Sequence, residues 1–175
     1  MNIYLEKLKA EESNELINFI LADFWEYHVE EKPSEVILKE KIEEGYYMSD
    51  NTVTLWIVID QRRVGFIRLF DLKDNTCLFD VRIASSERQK GLGVLSLEKM
   101  IDYVFSTYPH IVRIEGYTRI DNVPMQKCFD KTLFVKEAHH RKSWLSEDGR
   151  FVDSIGYAVT RDDWTNNCKT PVVWS

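Results

Sequence analysis

The sequence predicts a mixed α+β fold. Two observations carry this expectation. Runs rich in β-branched and aromatic residues occur near both ends of the chain and in its centre, separated by segments with helical spacing. In the middle, a strand, a glycine-containing loop, a helix and another strand follow in succession, and such a crossover makes its two strands parallel neighbours. The 175 residues suffice for one well-buried domain and are few for two. No repeat, linker or low-complexity stretch divides them, so a single domain over 1–175 is expected.

The elements follow in order. Residues 2–8, NIYLEKL, alternate apolar and polar side chains as a strand does. Leu16, Ile17, Phe19, Ile20, Phe24 and Tyr27 are spaced for a helix over 13–27, with Ser13 as its N-cap. Glu31-Lys32-Pro33-Ser34 breaks the chain, and Ser34 caps a second helix over 35–44 that stops at Gly45. TVTLWIVID, 52–60, reads as a strand, Gln61-Arg62-Arg63 as a tight connection, and 64–72 as the second strand of a hairpin. Asp74-Asn75 turns the chain into a third strand over 77–84. Leu95, Leu97, Met100, Ile101, Val104 and Phe105 give a helix over about 92–106 its apolar face. HIVRIEGY, 110–117, is a strand, and Asp121-Asn122 precedes a short helix over 124–132, whose first-turn proline is tolerated. Strands over 134–144 and 151–159 are joined by Glu147-Asp148-Gly149-Arg150. From Arg161 onward the tail is polar and expected to fray.

Composition narrows the function classes. Hydrophobic residues make up 44% and aromatics 13%, ample for a core. The net charge of -6 argues against nucleic-acid binding, which needs a basic face, and is compatible with a cationic small substrate. No run approaches the roughly 20 apolar residues that span a bilayer. The first residues carry charges where a signal peptide needs an apolar core, so a cytoplasmic protein without membrane association is expected. Cys77, Cys128 and Cys168 are widely spaced and suggest neither a disulfide framework nor a metal site.

The chemistry-bearing stretch is SSERQKGLG, 85–93, between a strand and a helix. A helix N-terminus exposes unpaired N–H groups and a partial positive charge. Glycines at 91 and 93 would let the N–H groups of about 88–93 converge on a phosphate, with Arg88 and Lys90 adding charge. A tight turn carrying solvated basic residues fits the same spacing. Lysine followed by Ser/Thr after GxxxxG is absent, and so is GxGxxG, so neither an NTPase P-loop nor a dinucleotide fingerprint is present.

The strand CLFDVRI, then Arg88-x-x-Gly91-x-Gly93, then an amphipathic helix, resembles the acetyl-CoA motif of the GNAT superfamily of N-acetyltransferases. Asp121-Asn122, EAHHRKSW and DGRFVDSIGYAVTRDDW, in that order, resemble the branch of ribosomal-protein N-terminal and spermidine acetyltransferases, with matches at Asp148, Gly149, Arg150, Phe151, Asp153, Tyr157, Asp163 and Trp164. The resemblance implies a mostly antiparallel sheet with a splayed central parallel pair, flanked by helices, and acetyl-CoA as cofactor. It implies that Arg88, Gln89, Lys90, Gly91, Leu92 and Gly93 hold the diphosphate. Val81, Arg82 and Ile83 would meet the pantetheine, and Asn122 would contact the cofactor, unless it serves only as a helix cap.

Acetyl transfer to an amine needs a proton acceptor, a polarised carbonyl and a proton for the leaving thiolate, and no protein nucleophile. Asp80, mid-strand in LFDVRI, is the first candidate base, because burial would raise its pKa. An ion pair with Arg82 or Arg68 is the alternative. Glu115 and Tyr117 are second candidates; of His139 and His140, adjacent on a strand, at most one faces the site. The tyrosine acid common in the family is replaced by Phe129, and Met125 and Leu133 are further departures. Tyr117, Cys128 or solvent would then supply the proton. Trp25, Glu26, Tyr27, His28 and Glu30 lie in the segment that shapes the acceptor pocket by resemblance, and acids with aromatics suit a cationic amine. The expected activity is acetyl transfer to a small amine or a peptide N-terminus. A non-catalytic acyl-CoA-binding or sensor module, or a partner-binding protein without a cofactor, are the rivals. A terminal hairpin leaves strand edges to cover, which makes a homodimer a candidate assembly.

Overall fold

The computed structural model describes residues 2–173. Among them, seven strands form one sheet: β1 (Ile3–Lys7), β2 (Thr52–Ile59), β3 (Arg62–Phe70), β4 (Thr76–Ile83), β5 (Arg113–Arg119), β6 (Val135–Leu145) and β7 (Phe151–Thr160). Their spatial order is β1-β2-β3-β4-β5-β7-β6. Every neighbouring pair is antiparallel except β4 and β5. The described residues also form α1 (Ser13–Leu21), α2 (Glu35–Glu43), α3 (Leu92–Thr107), α4 (Val123–Asp130) and α5 (Arg161–Asn166).

The alternation of side chains along β2, β3 and β4 builds two apolar layers on the two faces of the sheet. Leu55, Ile57, Ile67, Leu69 and Cys77 pack with Leu97, Met100, Ile101 and Val104 of α3 and Phe129 of α4. Trp56, Val58 and Phe66 face the other way, against Leu16, Ile17 and Ile20 of α1 and Leu38 of α2. β2 is buried along its whole length, as a strand covered by helices on both sides must be.

β4 and β5 pair only from Thr76 with Arg113 to Leu78 with Glu115. Beyond that point β4 continues beside β3 as far as Ile83, and β5 beside β7 as far as Arg119. The sheet is therefore split along one seam, with a backbone edge on each side. The α3 N-terminus follows β4 in the chain after a short loop. Among the described residues no helix is long and apolar enough to cross a membrane.

Several boundaries differ from the sequence expectation. The first helix stops at Leu21 instead of running to Tyr27, because Trp25 folds back and its Nε1 donates to Ile20 O at 2.9 Å. Ser13 lies inside it; Glu12 holds the N-cap position, and the Ser13 hydroxyl donates to Ala10 O. The β2–β3 turn is Asp60-Gln61, with φ of 46° and 68°, so the two arginines already belong to β3. β5 starts at Arg113 rather than 110, since Ile111 donates to Tyr108 O and its carbonyl accepts from Arg161. The tail expected to fray from Arg161 onward is helical at its start: Thr160 caps α5, exchanging bonds with Asp163.

Candidate active site

The 85–93 loop takes its shape from two left-handed residues, Gln89 (φ 62°) and Gly91 (φ 80°), the second being the N-cap of α3. Among the described residues, no acceptor meets the N–H groups of Gln89, Lys90, Gly91, Leu92 and Gly93. A Cβ on Gly91 would meet nothing within 4 Å, so the space in front of the turn is open. Gly93 is glycine for a different reason. A Cβ there would lie 2.7 Å from Cys128 Sγ, so Gly93 is what lets α4 approach α3.

The basic residues of the loop are exposed, yet each is tied to a partner of the same chain. Arg88 Nε donates to Ile83 O at 2.9 Å and its Nη2 to Phe24 O at 3.2 Å, with the guanidinium 5.5 Å from the Trp25 ring centroid. Lys90 pairs with Glu87 at 2.9 Å. Asp23 ties the loop after α1 to this region by accepting from Phe24 N and Ser85 N.

On the α1–α2 side of the split seam lies a cleft of about 420 Å³. β4 contributes Leu78, Phe79, Asp80 and Arg82, β5 contributes Glu115 and Tyr117, and the loop after α1 contributes His28, Val29 and Glu30. Arg68 faces it from β3, directly opposite Asp80 in the strand register.

The charges here are mutually fixed. Asp80 Oδ1 lies 3.0 Å from His28 Nε2, and its Oδ2 3.4 Å from Arg82 Nε. Burial would raise the Asp80 pKa, but the charges of His28 and Arg82 and the His28 hydrogen bond outweigh it, and the group is held well below the usual carboxylate range. Glu115 accepts from Arg113 Nε at 2.6 Å and from Tyr117 Oη at 2.8 Å. Burial opposes its ionisation, yet these two bonds lower its pKa. Burial and Glu115 raise the Tyr117 hydroxyl. Lys41 and Glu30 pair at 2.6 Å.

The sequence matches the acetyltransferase (GNAT) family over residues 17–134. The chain belongs to that family. Solved structures agree on the fold. A chimera of the spermidine N-acetyltransferase SpeG from Vibrio cholerae and hSSAT superposes with a TM-score of 0.77 at 18% identity, covering 95% of this chain and 99% of that one. The spermidine N-acetyltransferase from Vibrio cholerae in complex with CoA and spermine gives 0.77 at 16%, covering 94% and 98%. A structure described as a probable acetyltransferase gives 0.74 at 17%, covering 93% and 94%. No curated protein matches the sequence. The protein is an acetyl-CoA-dependent N-acetyltransferase acting on an amine.

A GNAT acetyltransferase needs a cradle for a diphosphate, and unpaired amides at a helix N-terminus in front of open space fit one. Of the residues singled out in the sequence, Asp80, Arg82, Glu115, Tyr117, His28 and Glu30 meet in the cleft. Trp25 does not: it is 1% exposed, in the core beside Phe19. Glu26 is exposed and offers its carbonyl to Arg119, whose guanidinium lies 5.6 Å from the Tyr27 ring centroid, so neither lines the cleft. Asn122 caps α4, accepting from Met125 N at 3.2 Å. Of the two readings of Asp80, the ion pair is the one formed, with Arg82, and the expected rise in pKa is reversed by the charges around it. Lys41, Tyr46, Arg68, Phe70 and Trp144 also line the cleft and lie outside the site residues expected from the sequence. Arg68 carries a signal: it is a charge inside the apolar run VGFIRLF, on the hairpin strand next to Asp80.

Proposed function

We propose that the main-chain amides of residues 89–93 hold the diphosphate of acetyl-CoA, and that the unpaired edge of β4 beyond Leu78, at Val81, Arg82 and Ile83, binds its pantetheine arm. The single observation supporting this is the run of partnerless N–H groups at the N-terminus of α3, beside the split seam. Bound acetyl-CoA supplies an acetyl group on a thioester, which an amine can take directly. The acceptor amine occupies the cleft on the opposite side of the seam. Glu115, ionised at neutral pH, accepts the proton of the amine. Tyr117, protonated at neutral pH, gives its proton to the leaving sulfur, the task that Phe129 cannot perform, and regains one through its hydrogen bond to Glu115, which holds the proton taken from the amine. Asp80 acts as a positioning residue that fixes His28 and Arg82. The cleft volume suits a small amine better than a folded protein surface, with a peptide N-terminus as the larger alternative. Pairing of a second copy along β6, an edge of the sheet, is the proposed route to a homodimer. The cytoplasm is the proposed location.

Saturating acetyl-CoA tests the cradle. A ligand at 100 times its Kd stabilises the folded state by about 2.7 kcal/mol, roughly 5–10 °C in a domain of this size. The expected result is such a shift in the wild type and its loss in Gly91→Val, whose side chain would stand in the open space before the amides. A folded Gly91→Val protein with an undiminished shift rejects the cradle. Thiol release over a panel of amines measures the turnover itself.

A further inference from the structure

Two arginines of the cleft are 7% exposed each and incompletely bonded. The Arg68 guanidinium lies between the rings of Tyr46 (3.7 Å) and Phe70 (4.0 Å). Its one hydrogen bond among the described residues is from Nη1 to Tyr46 O at 3.4 Å, and its buried Nε has no partner there. Arg82 reaches Asp80 through Nε at 3.4 Å, while its buried Nη1 has no partner among the described residues. Asp80, opposite Arg68 in the strand register, is shared between Arg82 and His28. The other acids of the cleft make no ion pair with either arginine; Glu30 pairs with Lys41 and Glu115 with Arg113.

A buried donor left without an acceptor is destabilising, and more so when charged. The aromatic sandwich around Arg68 holds the planar guanidinium in one orientation, so little further ordering is needed to meet an anion. An amine without any anionic group would set its charge against this wall. A carboxylate supplies two acceptor oxygens and matches the donor geometry of a guanidinium.

We propose that the acceptor is a small amine that also carries a carboxylate. Arg68 and Arg82 receive the carboxylate, and the amine points toward Glu115 and Tyr117 at the seam. This rests on the transferase reading above and narrows its substrate to amino carboxylates.

Matched acceptors test it: 4-aminobutyrate against butylamine, 5-aminopentanoate against pentylamine, and spermidine as a polyamine without a carboxylate. The expected kcat/KM for the amino carboxylates is at least about tenfold above their matched amines, the scale of one charge-assisted contact. Arg68→Met is expected to bring that ratio close to one. Arg68→Lys, which keeps the charge and loses the fork, serves if the methionine variant does not fold; the wild-type comparison needs no variant. Butylamine or spermidine equalling the amino carboxylates overturns the proposal. If no amine of either kind is turned over, the transferase reading fails instead, and calorimetry with 4-aminobutyrate decides the carboxylate site. Binding to the wild type that weakens about tenfold in Arg68→Met supports it; equal binding, or none, overturns it.

Discussion

Phe129 shows how one ring limits the choice of proton donors. It is fully buried, stacked on Tyr157 at 4.4 Å, and in contact with Phe79 and Phe134. Even a hydroxyl at this position of α4 would face a core, so the donor has to come from another element. Tyr117 Oη, 2.8 Å from Glu115, stands at the seam. A positioned acid or base contributes about 10²–10⁴-fold. Tyr117→Phe and Glu115→Gln are each expected to lower kcat about 10²-fold while the KM for acetyl-CoA stays within a few-fold, measured by thiol release. A wild-type kcat in both variants would remove this pair from the chemistry. The sequence shows Glu115 and Tyr117 two residues apart on one strand, hence on one face. It offers an ion pair of Asp80 with Arg82 or Arg68 but does not show that His28 joins it, because His28 comes from a loop far along the chain.

At the scale of elements, Gly91 and Gly93 sit two residues apart and answer to different demands. Gly91 adopts a left-handed φ, and Gly93 yields space to Cys128 on α4. A methyl added at 93 would run into Cys128 Sγ, so the thiol or α4 must give way, and overpacking of this kind costs about 1–3 kcal/mol. Gly93→Ala should therefore lower the unfolding free energy by that amount. Cys128→Ala removes the sulfur and leaves Cβ at 3.8 Å from the new methyl, an ordinary contact. The double variant should recover most of the loss in a denaturant-unfolding cycle; strict additivity would sink the steric account. The sequence conveys that a glycine loop joins strand and helix. It does not convey that Cys128, on a later helix, is the reason for one of the two. Arg161 carries the same lesson. It reads as the start of a polar tail, yet its guanidinium donates to the carbonyls of Phe105, Tyr108 and Ile111, fastening the end of α3 to the start of β5. Side chains that satisfy distant main chain leave no local periodicity to find.

For the whole molecule, the strand periods are enough to give the mixed sheet and the crossover at α3, because each strand next to a helix must present one apolar face. The cleft is less legible, since it is assembled from β3, β4, β5 and the loop after α1, segments that meet only in the folded state. Its charge balance has a global consequence. The Asp80 pKa is depressed below its ordinary value of 3.8 on folding. Its contribution to stability is therefore present above about that pH and is lost as pH falls toward the lower folded value. Asp80→Asn leaves Arg82 without its carboxylate partner, and breaking a buried pair this way costs about 3–5 kcal/mol. Thermal unfolding should show a large wild-type-to-variant gap at pH 7 that narrows as the pH drops below the ordinary aspartate value; a gap independent of pH would contradict the assignment.

The split between β4 and β5 also bears on isotope labelling. Main-chain groups along the opened edges lack a strand partner, so their protons are kept from deuterium only by whatever occupies the seam. In the ligand-free protein the amides of 89–93 should exchange within the first time point, while the fully buried β2 stays protected. Coenzyme A should slow the loop and the outer edge of β4 together and leave the β6–β7 hairpin unchanged. Protection confined to that hairpin would show that the nucleotide settles at the far edge of the sheet.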